Sequence, residues 1–327
     1  MYRILLILFL SFSFSQWFSI EHDGVSRSYY VSYPSTTEPV PIIINMHGYG
    51  GNAAGQLTYT QMNQYAHAQG MAVVYPQGLN NSWNVYTYWD SNNYDDVGFI
   101  SNMIDTIASD FNIDLDRVYA CGMSNGGYMT YRLACDLSDK IAAFGSVTGN
   151  FMLTNTIGDC TGQNRDIPII HFHGTADGVV QYYPPTFDGS LTVSESINFW
   201  SNHNNLTDES VESISSNVEK YSYYNNSSLA KFVHYKVYGG GHEWFNSFWG
   251  FNTSEELVNF FSGFKLSDFI ISQLLGDLNQ DDNVNIQDII LLINMILNQE
   301  YLLVGDLNDD GDINVLDVVQ LVNIILN

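Results

Sequence analysis

Positive charge is what this 327-residue chain has least of: ten Lys and Arg stand against 35 Asp and Glu, a formal net charge of −25. Binding a phosphate backbone or an anionic membrane needs a basic face. So few cations cannot supply one, which excludes nucleic acid and anionic lipid as partners and suits a solvated extracellular surface with a neutral substrate. Long apolar runs are also missing after the first fifteen residues, so no membrane span is expected. Cysteine is scarce, with three in all. Cys121 reads as a small buried hydrophobe within a strand. Cys135 and Cys160 flank one segment and could pair in an oxidising compartment, a pairing that the sequence leaves open. Finally, no Lys or Arg occurs from Gly276 to the end. That absence marks a second compositional region.

What is present starts with a leader. A basic n-region at Met1 to Arg3, an apolar run from Ile4 to Phe14 and small residues before Gln16 read as a signal peptide over 1–15. The protein is therefore expected outside the cell, with attachment to a cell surface left open. The 45% hydrophobic content is enough for one large core and a small satellite. The expected division is a main domain over 16–266, a connection over 267–275 and a tail over 276–327.

The main domain is organised around Arg117 to Gly127. Arg117 to Cys121 reads as a short buried strand, Gly122 to Gly126 as a G-x-S-x-G turn, and Tyr128 to Ala134 as the start of a helix. This is the setting of a nucleophile elbow, with Ser124 as the nucleophile. The two glycines have a steric reason, because a Cβ at either place would strike the neighbouring strand or helix. An ordinary strand-to-helix turn that happens to carry Ser is the competing reading, so the partners must decide.

Upstream, Ser28 to Tyr33 alternates as a strand and Val40 to Met46 is a buried one, ending in His47-Gly-Tyr-Gly-Gly51. Such a turn lets backbone amides point into a cleft, and the amides of Tyr49 and Asn125 are the expected oxyanion donors. A plain loop with a surface histidine competes. Gly55 to Gly70 reads as one helix and Met71 to Tyr75 as the next strand. An aromatic loop follows from Asn80 to Tyr94, and Trp83 and Trp89 in it are candidate substrate-binding residues, with packing over the core as the alternative. Asp95 and Asp96 open a helix to about Phe111 as capping and structural residues.

Downstream, Pro168 to Asp177 reads as a strand that breaks into a turn, and a carboxylate there can orient an imidazole. Asp177 is the candidate acid, with Asp188 weaker. His171 and His173 lie within the strand and are expected as satisfied core or supporting groups. Phe232 to Tyr238 is another strand, followed by three glycines and His242, the candidate base. Trp244 is placed in the cleft as a third substrate-binding aromatic. Thr253 to Glu256 is a capping-box pattern that opens a helix to about Phe261.

Taken together, Tyr94 to Ile100, Asn112 to Gly127, His173 to Asp177 and Gly240 to His242 resemble the secreted polyhydroxybutyrate depolymerase and feruloyl/acetylxylan esterase family. The resemblance spans about Tyr29 to Phe264. It implies an α/β fold of the α/β-hydrolase kind, with a doubly wound, mostly parallel sheet. It also implies carboxylic ester hydrolysis by Ser124, Asp177 and His242, without a cofactor for catalysis.

The tail is an internal repeat. Two acidic loops, 277–288 and 306–317, each precede an apolar helix, with oxygen side chains at the spacing of an EF-hand-like Ca²⁺ loop. The ligand candidates are Asp277, Asn279, Asp281, Asn283 and Asp288 for one ion. Asp306, Asn308, Asp310, Asp312 and Asp317 serve the other. The repeat resembles a type I dockerin, which implies a small all-α domain, two Ca²⁺ ions and a cohesin-like protein partner. Ile286 and Gln287, and Val315 and Leu316, depart from the hydroxyl residues that dockerins often carry there.

Two function classes are consistent with these features. One is a secreted esterase acting on an ester-bearing polysaccharide, with a polyester (polyhydroxyalkanoate) as the alternative substrate. The other is a Ca²⁺-dependent binding protein with an inactive hydrolase domain.

Overall fold

The computed structural model describes residues 14–153, 160, 165–186, 188–226, 228–269, 276–279, 281, 283–298, 305–308 and 312–326. The chain separates into two compact units, 1–269 and 270–327.

The first unit is built on one ten-stranded sheet in the order β1-β2-β4-β3-β5-β6-β7-β10-β9-β8. Its strands are β1 (Phe14–His22), β2 (Val25–Tyr33), β3 (Val40–Met46), β4 (Ala72–Pro76), β5 (Ile113–Met123), β6 (Ala143–Val147), β7 (Ile169–Gly174), β8 (Asp208–Ser215), β9 (Val218–Tyr224) and β10 (Lys231–Val237). From β4 through β10 the central strands pair in parallel, and the two outer strands on each side pair antiparallel.

Parallel strands covered on both faces read as unbroken apolar runs, and β3 and β4 are buried at every position. Alternate residues feed two separate cores. Ile42, Ile44, Val118 and Ala120 face α3 (Asp96–Asp110), α4 (Asn125–Asp136) and α5 (Val193–His203). Ile43, Tyr119 and Cys121 face α1 (Ala53–Thr60), α2 (Met62–Ala68) and α6 (Thr253–Phe261). The chain leaves β3 toward one sheet edge through β4, then returns across β3 to β5. Strand order reverses there, so the loops after β3 and β5 open at one crevice.

Several expectations needed correction. The helix expected from Gly55 to Gly70 is two helices, because Gln61 takes a left-handed conformation (φ 49°) between them. The cap of α6 is Asn252, whose side chain accepts from the amides of Ser254 and Glu255, one residue before the expected Thr253. The core reaches past the expected boundary at 266, since Leu266 and Phe269 are buried in it. The expected leader lies mostly outside the described residues. Its last two, Phe14 and Ser15, already pair in β1, where Phe14 stacks on Tyr33. Cys135 and Cys160, whose pairing the sequence leaves open, form a disulfide, and Cys121 is a buried free thiol.

The second unit contains α7 (Ile286–Asn298) and α8 (Val315–Leu326). Leu278, Leu292, Leu307 and Leu321, at equivalent places of the two repeats, form its small core.

Candidate active site

Backbone sterics build the site first. Between β5 and α4, Ser124 stands at φ 55° and ψ −119°, a conformation that costs a non-glycine residue about 1–3 kcal/mol and persists only where the surroundings enforce it. They do so through close packing. A Cβ on Gly122 would lie 2.4 Å from the Gly126 carbonyl oxygen, and one on Gly126 would lie 2.4 Å from the Met46 oxygen and 2.7 Å from that of His47. Any side chain there would drive α4 away from β3. The Ser124 amide donates to Val147 O at 2.8 Å, which ties the elbow to the end of β6.

The loop after β3 lies directly against the serine. A Cβ on Gly48 would be 3.3 Å from the Ser124 Cβ. His47 is buried rather than on the surface. Its Nδ1–H donates to Gly48 O at 2.8 Å and its Nε2 accepts from the Gly78 amide at 3.0 Å, while burial lowers its pKa to about 4. It is a neutral brace for the loop. The Asn125 side chain turns back on Trp83, accepting from its amide at 2.7 Å and donating to its carbonyl. Among the described residues no acceptor takes the backbone N–H of Tyr49 or Asn125.

Trp83 does not face a substrate. It is fully buried, and its indole N–H donates to His47 O at 2.8 Å, so the ring supports the loop from behind. The aromatic loop is tied down further by Asp96, which takes the Asn84 amide at 2.7 Å and pairs with buried Arg27. Trp89 lies at the surface side. It meets half-exposed Tyr49 edge to face at 5.3 Å, packs on Tyr128 and donates to Asp188. Trp244 is nearly buried, with its N–H on Ser254 Oγ. It lines a cleft of about 780 Å³ that it shares with Tyr59, Gln61 and Asn252.

Asp177 and His242 meet because the loops after the adjacent strands β7 and β10 lie against each other. The Ala176 amide donates to Gly240 O at 3.0 Å, and Gly174 packs so closely on Gly240 that a Cβ would fall 2.2 Å from its oxygen. His242 Nδ1 is 2.8 Å from Asp177 Oδ2. Asp177 Oδ1 accepts from the amides of Val179 and Val180 at 2.8 and 2.9 Å. Burial pushes this carboxyl up, but the hydrogen bonds from His173 and His242, with the Val179 amide, outweigh it and hold the group well below the usual carboxylate range. The candidate acid and the candidate base are thus hydrogen-bonded to each other. Ser124 Oγ and His242 Nε2 are not hydrogen-bonded to each other in this structure. Asp188, the weaker acid candidate, accepts from Trp89 and from the Ser190 amide instead.

In the second unit Asp277, Asp288, Asp306 and Asp317 are buried in a region without a single Lys or Arg. Buried carboxylates need hydrogen bonds or a cation. Backbone amides supply part of this: Asp288 accepts from Leu278, Asn279 and Asn285, and Asp317 from Leu307 and Asn314. The all-oxygen donor set fits Ca²⁺ chemistry. Among the described residues the only three acidic or imidazole groups with ligand atoms within 4.8 Å of one another are His22, Asp23 and Asp95, at the other end of the chain. Asn279 donates to Asp281, and Asn283 holds its own loop through Asp281 O. Asp310 lies outside the described residues.

Residues 25–158 match the family model described as Esterase PHB depolymerase. A bifunctional acetylxylan esterase/xylanase of Neocallimastix patriciarum is 34% identical over 161 residues, which cover 49% of this chain and 23% of the relative. A probable feruloyl esterase C of Aspergillus niger is 27% identical over 230 residues, covering 68% and 78%. The chain therefore spans less than a quarter of the first relative's own length. Among solved structures, an acetyl xylan esterase from Aspergillus awamori shares the fold at a TM-score of 0.58 and 17% identity, covering 75% of this chain and 99% of that one. A ferulic acid esterase from Anaeromyces mucronatus does so at 0.51 and 15%, covering 78% and 93%. The stretch from β2 through β6 and on to residue 158, with the serine elbow inside it, is the part of the chain that matches the esterase PHB depolymerase family.

Proposed function

We propose that the first unit is a secreted serine carboxylic-ester hydrolase that removes feruloyl or acetyl groups from polysaccharide. The Asp177–His242 hydrogen bond, formed after parallel strands β7 and β10 at the same sheet edge as the strained serine elbow after β5, carries this reading. Asp177 fixes the imidazole with its proton on Nδ1, which leaves Nε2 free to take the Ser124 proton as Oγ attacks the ester carbonyl. The amides of Tyr49 and Asn125 stabilise the tetrahedral oxyanion, each typically worth roughly 3 kcal/mol. The alcohol leaves with the proton from His242, and water then repeats the sequence on the acyl-enzyme. Tyr49 and Trp89 offer aromatic surface to a sugar or phenolic ring, whereas Trp244, expected as a third such residue, is nearly buried.

The second unit is proposed to bind two Ca²⁺ ions through the loop residues named above and to dock a cohesin-like protein. Its helices support docking, because Ile286, Ile290, Ile293 and Leu297 are exposed along one face of α7, as are Val315, Val319 and Leu326 on α8.

The test is initial rates for the full chain and Ser124→Ala on an aryl acetate, methyl ferulate, acetylated xylan and a hydroxybutyrate oligomer. Turnover that the alanine variant loses supports the serine mechanism. Preference for the oligomer would replace polysaccharide with polyester as substrate. No turnover by either protein would refute the enzyme reading.

A further inference from the structure

Behind the acid lies a buried chain of groups that the hydrolytic mechanism leaves unused. The Tyr131 hydroxyl on α4 is 2.8 Å from His171 Nδ1, and His171 Nε2 is 3.0 Å from His173 Nδ1. His173 Nε2 is 2.9 Å from Val180 O and 3.4 Å from Asp177 Oδ2. All three side chains are essentially excluded from solvent.

One carbonyl fixes the direction of every bond. Val180 O can only accept, so His173 carries its proton on Nε2 and accepts on Nδ1. His171 must then donate from Nε2 and accept on Nδ1, where only a hydroxyl such as Tyr131 can donate. Burial, with the neighbouring His173 and His234, drives the His171 pKa far down, which keeps its imidazole neutral as this pattern requires. His234 on β10 is likewise neutral, lowered to about 3 chiefly by burial. It donates to His171 O and is 2.9 Å from the Tyr182 hydroxyl. Lys236 lies over the Tyr182 ring, outside the chain of bonds.

We propose that His173 is a positioning residue for Asp177: the one-way chain Tyr131 to His171 to His173 fixes an Nε2–H that bonds Val180 O and faces the carboxylate at 3.4 Å from the protein interior, while His242 engages the same oxygen from the partly exposed side. The His242 bond to Oδ2, the His173 Nε2–H 3.4 Å from the same oxygen and two amides on Oδ1 leave the carboxylate one orientation. Without the inner donor, Oδ2 is held by His242 alone.

This rests on the serine-esterase reading, so the experiment has an arm that does not need turnover. His173→Gln keeps an acceptor toward His171 and a donor toward Asp177, whereas His173→Leu keeps only bulk. The low-field Nδ1–H proton of His242, assigned by its loss in His242→Gln, is followed by NMR in the full-length variants alongside kcat and KM. The expected result is that His173→Leu broadens or loses that proton and lowers kcat about tenfold to 100-fold at unchanged KM. His173→Gln restores both. A leucine variant with the wild-type proton signal and kcat overturns the proposal. Should neither His173 variant fold, His171→Phe decides, since it removes the N–H that holds His173 Nδ1 while keeping an aromatic ring at that place. An unchanged His242 proton in that variant overturns the proposal equally. Wild-type protein without serine-dependent turnover would refute the esterase reading, and the NMR arm would still judge the chain.

Discussion

Replacing Asp177 by Asn removes one charge and almost no volume, and the contacts at its two oxygens dictate how the site responds. Oδ1 accepts from two backbone amides, Val179 and Val180, that cannot move without unwinding the turn. The carboxamide oxygen must therefore stay at that position. Its NH2 group then takes the place of Oδ2 and points donors at His242 Nδ1 and His173 Nε2. His242 can keep a hydrogen bond only by accepting on Nδ1, which moves its proton to Nε2. An Nε2 that carries a proton cannot remove one from Ser124. Loss of the correct tautomer typically lowers kcat about 10⁴-fold, or roughly 5.4 kcal/mol of transition-state stabilisation at about 1.36 kcal/mol per decade. The assay is steady-state hydrolysis of an aryl acetate by wild type and Asp177→Asn, with circular dichroism as a check on folding. The expected outcome is a folded protein with KM close to wild type. A folded variant with kcat within tenfold of wild type would refute the tautomer argument and with it the role given to Asp177.

Two further outcomes test other parts of the structure. Gly126→Ala should lower stability by about 1–3 kcal/mol through overpacking against the Met46 and His47 carbonyls, while Gly178→Ala, with open space around its Cβ position, should change it by less than about 0.5 kcal/mol. Equal urea midpoints for the two variants would contradict the close approach of α4 to β3. A chelator should lower the helical content contributed by 276–327, because the buried Asp277, Asp288, Asp306 and Asp317 lie in a stretch of sequence that contains no Lys or Arg. Ester turnover should be unaffected, and its loss on chelation would show that catalysis depends on the metal.

Residues close in sequence made much of the elbow legible in advance. Gly122, Ser124 and Gly126 announce a tight turn, and the turn's requirements depend on neighbours within a few positions. The order of Ser124, Asp177 and His242 was legible for a related reason, since each follows its own apolar strand and strand ends in a parallel sheet share one edge. Contacts between distant segments were not legible. Trp83 sits in a polar loop and carries the signature of an exposed ring, yet it is held inside by His47 O, 36 positions away. The aromatic loop is pinned by the pairing of Arg27 with Asp96, 69 positions apart. Gln61 looked like a helical residue, and only its left-handed backbone divides α1 from α2. The strands β8 and β9 were missed because β8 is exposed along most of its length and so lacks an apolar pattern.

The same distinction explains why the histidines sort as they do. Besides His22, which ends β1, five of the eight, His47, His171, His173, His234 and His242, fall on strands or the loops after them, so position alone cannot tell a base from a brace. Burial and partners can. His47, His171, His173 and His234 are buried, and each has both ring nitrogens engaged, which leaves no nitrogen to act on a substrate. His242 is the one whose Nδ1 is held by a carboxylate while its ring remains partly exposed. Glycine creates that difference, because Gly239 to Gly241 carry the chain away from β10 before His242, whereas His171, His173 and His234 are fixed within the strands themselves. A base must keep one nitrogen for the reaction, and of these five only the residue beyond the glycines does.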